Sequence, residues 1–163
     1  DASSSYEFKW RALTIETISA FEKLPAILDL AHQAGIQGIT VGRGDFAASL
    51  GHKGGENLPH VMEKVRAIVL ESNNRGFYTM VGGRMEKESL DTIWGSGIEA
   101  KGVETRRVAI RFGSNYESTS DSLLDAIRAE LAIEEAMSAK AELAMDNFRE
   151  RIENLRSRIS QWN

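Results

Sequence analysis

The chain contains no cysteine in 163 residues. That excludes disulfides and thiolate metal sites, and it suits a cytoplasmic protein. No apolar stretch approaches the ~20 residues that a membrane-crossing helix needs, and the first residues lack the apolar core of a signal peptide. Basic residues are not in excess: 20 Lys and Arg stand against 24 Asp and Glu, a formal net charge of −4. With no basic stripe to offset that balance, nothing in the charge pattern asks for nucleic acid. What is present is ordinary for a globular protein, with 42% hydrophobic and 27% charged residues in a length that fits one domain with a buried core. A chain that opens on Asp1 rather than Met reads as a fragment or a processed product.

Apolar periodicity alternates between strand and helix patterns over the first hundred residues. Phe8 to Ile15 reads as a strand, and Ser19 to Ala34 as an amphipathic helix with Phe21, Leu24, Ile27, Leu28 and Ala31 at helical spacing. Ser19 and Glu22 have capping-box spacing, and Gly35 suits the helix C-terminus. Ile36 to Val41 is a near-continuous apolar run, as expected of a strand buried on both faces. A glycine-rich loop from Gly51 to Asn57 leads into a helix over Leu58 to Asn74. A strand (Phe77 to Val81), a short helix (Glu86 to Trp94) and a fourth strand (Ile98 to Val103) follow. The pattern predicts an α/β fold of about four βα units, half of a (β/α)₈ TIM-barrel. Its strands are parallel because such crossovers are almost always right-handed. Such a unit leaves two sheet edges and one face uncovered, so missing chain, a second copy or a nonstandard small sheet has to complete it.

From about Ser118 the character changes. The sequence predicts one long C-terminal helix, capped by Ser120 or Asp121 and running to about Ser160. Leu124, Ile127, Leu131, Glu134, Ser138, Ala141, Met145, Phe148, Ile152, Leu155, Ile159 and Trp162 keep a 3-4 spacing, the seam of a coiled coil or of a long packed helix. The seam weakens at Glu134, Ser138 and Ala141, which marks a bend or a crossing to a partner. The chain therefore divides into a half-barrel over 1–117 and a helix over 118–163 that makes a homo-oligomer. The alternative is a helix lying across its own domain.

Two acidic residues stand out by position. Glu16, in Leu13-Thr-Ile-Glu-Thr17, and Asp45, in Thr40-Val-Gly-Arg-Gly-Asp-Phe46, each follow a strand pattern and lie 29 positions apart. That is the length of one strand–helix–strand unit. Neighbouring parallel strands would present both carboxylates from the same end of the sheet, where a (β/α) barrel places its chemistry. Two convergent carboxylates suit a hard divalent cation such as Mg²⁺. Taken alone, the pair reads more simply as helix N-caps or surface carboxylates.

Longer motifs around these residues change that balance. Thr14-Ile-Glu-Thr17, Leu24-Pro-Ala-Ile-Leu28, Gly38-Ile-Thr-Val-Gly-Arg-Gly-Asp-Phe-Ala-Ala-Ser-Leu-Gly51 and Ile93-Trp-Gly-Ser-Gly-Ile-Glu-Ala-Lys-Gly-Val-Glu104 occur in this order. Together they resemble the HpcH/HpaI aldolase and citrate lyase β-subunit superfamily, over roughly residues 10 to 112. The resemblance implies the C-terminal half of a TIM barrel. It also implies a divalent-metal-dependent carbon–carbon lyase or aldolase that acts on a keto acid or acyl-CoA thioester through a metal-stabilised enolate. By resemblance, Glu16 and Asp45 are the ligands of Mg²⁺ or Mn²⁺, and the backbone near Gly44 and Asp45 holds the substrate carboxylate.

The chain departs from that pattern in three places. Arg43 stands where the family commonly has Pro or a small residue, and a charged side chain there would pair with a substrate carboxylate or with Asp45. Glu104 replaces a common Asp. The family's catalytic histidine and a substrate-binding arginine, supplied by the first half of the barrel, have no counterpart here. His32, His52 and His60 fall in a helix, a loop and a helix start, and read as surface residues; the catalytic base is thus unassigned. Gly82-Gly83-Arg84 reads as a tight turn with a solvated arginine, and Glu104, Arg106 and Arg107 as ion-pairing residues at the rim. The rival to an enzyme is a non-catalytic half-barrel domain for assembly or ligand binding.

Overall fold

A strand sends alternate side chains to opposite faces, and four short strands here do so in register. In a computed structural model describing residues 10–138 and 145–162, β1 (Ala12–Ile15), β2 (Gly38–Gly42), β3 (Tyr78–Gly82) and β4 (Gly102–Glu104) run parallel in that order. One face carries the matched row Ile15, Val41, Val81 and Val103, each buried to 1% exposure or less. This face meets the helical layer, where Leu28, Phe46, Val65 and Ile93 belong to the same apolar cluster. Thr14, Thr40, Met80 and Gly102 form the matched row on the opposite, concave face. The four parallel strands and their helices are those of a half-barrel, as expected.

Several boundaries differ for clear reasons. The predicted helix over Ser19 to Ala34 is two helices, α1 (Ile18–Glu22) and α2 (Leu24–Gln33). Pro25 sits in the first turn of α2, where its missing N–H costs nothing but a helix arriving from the left must stop. Thr17 rather than Ser19 is the N-cap of α1, its hydroxyl accepting from the Ala20 N–H at 3.2 Å. A helix that the sequence pattern hid, α3 (Arg43–Ser49), starts directly on the end of β2. The two later crossover helices, α4 (Pro59–Asn74) and α5 (Lys87–Gly95), lie close to where they are expected. Phe8 and Lys9, at the start of the predicted first strand, lie outside the described residues.

A fifth strand was not anticipated. β5 (Ala109–Arg111) turns back and pairs antiparallel with β4. It covers the very edge through which a second copy would close a barrel of two halves.

The single long helix is corrected. Two helices occupy this region, α6 (Tyr116–Ser138) and α7 (Met145–Ser160), and they pack on each other. The Trp162 Nε1–H donates to Ser120 Oγ at 2.8 Å, whereas one straight helix would hold these residues roughly 60 Å apart. Glu134, a weak point of the predicted seam, bridges the two helices within the fold-back. It is fully buried and takes Arg107 Nε at 2.6 Å and Arg151 Nη2 at 2.5 Å, joining the β4–β5 turn to both helices. Leu155 and Ile127, seam residues expected to meet a partner, are buried within the chain. Ala141 lies outside the described residues, and the side chains of Met145 and Phe148 are not described.

Glu134→Ala leaves two arginines facing a buried gap. It should cost about 2–4 kcal/mol, read as a lower urea midpoint, with faster amide exchange in α7. An unchanged midpoint would show that apolar packing alone holds the helix pair.

Candidate active site at the strand ends

The row above Ile15, Val41, Val81 and Val103 contains Glu16, Gly42, Gly82 and Glu104. Gly42 and Gly82 are register partners, and each outer carboxylate leans over its neighbouring glycine. A methyl group on Gly42 would stand 3.0 Å from Glu16 Oε2, and one on Gly82 would stand 3.0 Å from Glu104 Oε1. The two glycines thus make the space that the carboxylates use. Asp45 joins them from the first turn of α3. All three acids, with Gly44, Arg84 and Arg106, line one cavity of about 550 Å³ at the C-terminal ends of the parallel strands.

Glu104 was read from the sequence as a rim ion-pair residue. It stands instead inside the cavity wall, half-buried, where burial pushes its carboxyl pKa up and a 3.5 Å hydrogen bond from Thr40 Oγ1 partly opposes the shift. The signal was available, since Glu104 occupies the same strand-end position as Glu16. The turn that follows is fixed by Thr105, whose Oγ1 accepts from the Val108 N–H at 3.1 Å while its own N–H donates to Val108 O at 2.8 Å. This holds Arg106 at the rim. Arg107 does form the expected ion pair, with Glu134.

Arg43 is the main correction among the site residues. The sequence reading gave it to a substrate carboxylate or to Asp45. Its side chain is fully buried, with Nε donating to Gly82 O (3.2 Å), Nη2 to Gly83 O (2.8 Å) and Nη1 to Asn57 Oδ1 (2.6 Å). Burial lowers its pKa to about 10, against the raising influence of Glu56 and Glu86. Arg43 therefore braces the rim from beneath rather than facing the cavity. Gly44 and Asp45 do line it. Gly83 (φ +91°) comes down on them, since a Cβ there would lie 2.7 Å from Gly44 N.

No histidine lines the cavity. His52 and His60 meet edge to face with ring centroids 4.5 Å apart, and His32 and Phe77 do so at 6.2 Å. Among the described residues, no group of three or more His, Cys, Asp or Glu side chains is close enough to enclose a metal ion. The oxygen-only donor set still fits Mg²⁺ or Mn²⁺, because such ions are commonly held by one or two carboxylates, with water and substrate oxygens completing the shell.

The raised pKa of Glu104 gives a signed pH dependence. Folding favours its protonated form, so this contribution is present below the ordinary glutamate value of 4.5 and is lost as pH rises through the higher folded-state value. Glu104→Gln should therefore gain stability relative to the parent chain as pH is raised towards neutrality. Paired urea titrations across that range check it, and parallel curves would refute the burial argument.

The comparisons with known proteins agree with this architecture. No protein-family model matches the chain. The chain is 29% identical, over 118 residues, to a 4-hydroxy-2-oxo-heptane-1,7-dioate aldolase of Klebsiella pneumoniae, covering 66% of this chain and 43% of the relative. It thus spans less than half the length of that curated relative. In fold it is similar to the HpcH/HpaI aldolase from Desulfitobacterium hafniense, with a TM-score of 0.50 and 15% identity over 74% of this chain and 42% of that one. The resemblance read from the strand-end motifs therefore holds in both sequence and fold: this chain is similar to the HpcH/HpaI aldolases over a part of their barrel.

Proposed function

We propose that the chain is part of a lyase of the aldolase type, cleaving or forming a carbon–carbon bond beside the carboxylate of a keto acid or an acyl-CoA thioester. The observation that carries this reading is the convergence of Glu16 and Asp45 on one cavity at the strand ends, in a chain similar to an aldolase. Both are exposed there, as ligands of an exchangeable cation should be. Glu16 and Asp45 would hold Mg²⁺ or Mn²⁺, which when bound supplies Lewis acidity towards a keto oxygen.

The chain's own residues then do the rest. Glu16 leans over Gly42, where the absent side chain leaves the room its carboxylate occupies beside the cavity. Asp45 lies on a short helix whose start is fixed by Arg43, which sets its distance from the floor of glycines. Gly44 leaves open space above its Cα, so a substrate carboxylate can approach the backbone there. Glu104, with its raised pKa, is the group in this cavity best placed to hold a proton near a reacting carbon.

Calorimetric titration of Mn²⁺ into the chain tests the reading beside Glu16→Gln and Asp45→Asn. Saturable binding that weakens about tenfold or more in each variant is the expected outcome. Absence of binding by a folded chain would overturn it and favour a half-barrel used for assembly or for ligand binding.

A further inference from the structure

A second cavity, of about 580 Å³, lies between α7 and the turns that follow β3 and β4. It shares Arg84, Thr105 and Arg106 with the carboxylate cavity, so the two adjoin along the rim. Its chemistry is different. Arg84 and Arg106 face it from the rim and Arg151 from α7, while Glu130 forms part of its wall on α6 and Glu150 stands on the α7 side.

Glu130 carries the argument. It is only 3% exposed, lines the cavity, and has one carboxylate oxygen, Oε2, without a hydrogen-bond partner. A buried acceptor left unmet is unfavourable by more than a typical hydrogen bond contributes. The neighbouring Arg158 attracts it by charge but gives this oxygen no hydrogen bond, and Nε and Nη2 of Arg158 both donate to Met85 O. Arg84, more than half exposed, is tied only loosely to Glu86 at 3.5 Å. The wall thus offers guanidinium donors at the rim and one unmet acceptor further in. Guanidinium groups match carboxylate and phosphate oxygens in a fork geometry, and an isolated acceptor wants an O–H.

We propose that this cleft binds a small organic anion that also carries a hydroxyl group, its carboxylate or phosphate oxygens on Arg84 and Arg106 and its hydroxyl donating to Glu130 Oε2. The site is formed by the chain's own C-terminal helix against the strand-end rim, and it stands whether or not a cation occupies the neighbouring cavity.

Calorimetry on the full chain in a buffer containing a chelator tests it with four probes. Malate and glycerol 3-phosphate carry the required hydroxyl; succinate and propyl phosphate, as its dianion, lack it. At least one hydroxylated probe should bind saturably, about tenfold more tightly than its partner without the hydroxyl. Which of the two binds identifies the anion as carboxylate or phosphate. Arg106→Gln and Glu130→Gln should each weaken that binding about tenfold. Arg106 is exposed, so its variant keeps the test decisive if Glu130→Gln does not fold. The proposal is overturned if neither hydroxylated probe binds, if succinate or propyl phosphate binds as well as its partner, or if Arg106→Gln binds like the parent chain. Because the chelator removes divalent cations, none of these results depends on the Mn²⁺ titration.

Discussion

The strand-end rim depends on one buried cation. Arg43 emerges where β2 becomes α3 and reaches under the β3 turn to the carbonyls of Gly82 and Gly83, while Asn57 meets its third nitrogen and donates in turn to Ser89 on α5. Two segments distant from it in sequence, the loop at Asn57 and the turn after β3, converge on this guanidinium. A cation inside the protein is tolerable only when its donors are met, and here three of its nitrogens are. Even with its pKa lowered to about 10 it stays charged at neutral pH. The arrangement holds Gly42 level with Gly82, and the floor of the cavity is the space between their two flanking carboxylates.

Much of this was legible in the sequence because its causes are local. The near-continuous apolar run from Ile36 to Val41 announced a strand buried on both faces, and Glu16 and Asp45 could be placed at one end of the sheet by counting along a strand–helix–strand unit. Arg43 was misread for the opposite reason. A charged side chain between two glycines looks solvent-bound, and only the tertiary fold brings the carbonyls of residues 82 and 83 to it. Glu104 was underrated because its burial comes from Thr40 and Gly82, neither of them near it in sequence.

The C-terminal region shows how periodicity can be right locally and wrong globally. The 3-4 spacing correctly identifies helical residues on both sides of the reversal, and Ile127 and Leu155 are indeed buried. Spacing carries no information about direction, though, and two antiparallel helices keep the same repeat as one continuous helix. The clue was the acid in the seam. A carboxylate at a buried seam position needs cations brought to it, and Arg107 and Arg151 can both arrive only if the chain doubles back.

β5 ends the parallel ladder of the sheet. By lying antiparallel along β4 it takes up that edge, while among the described residues β1 pairs with β2 alone. A parallel strand from a second half-barrel can therefore continue the parallel register only outward from Ala12–Ile15, because on the other side it would meet the antiparallel β5.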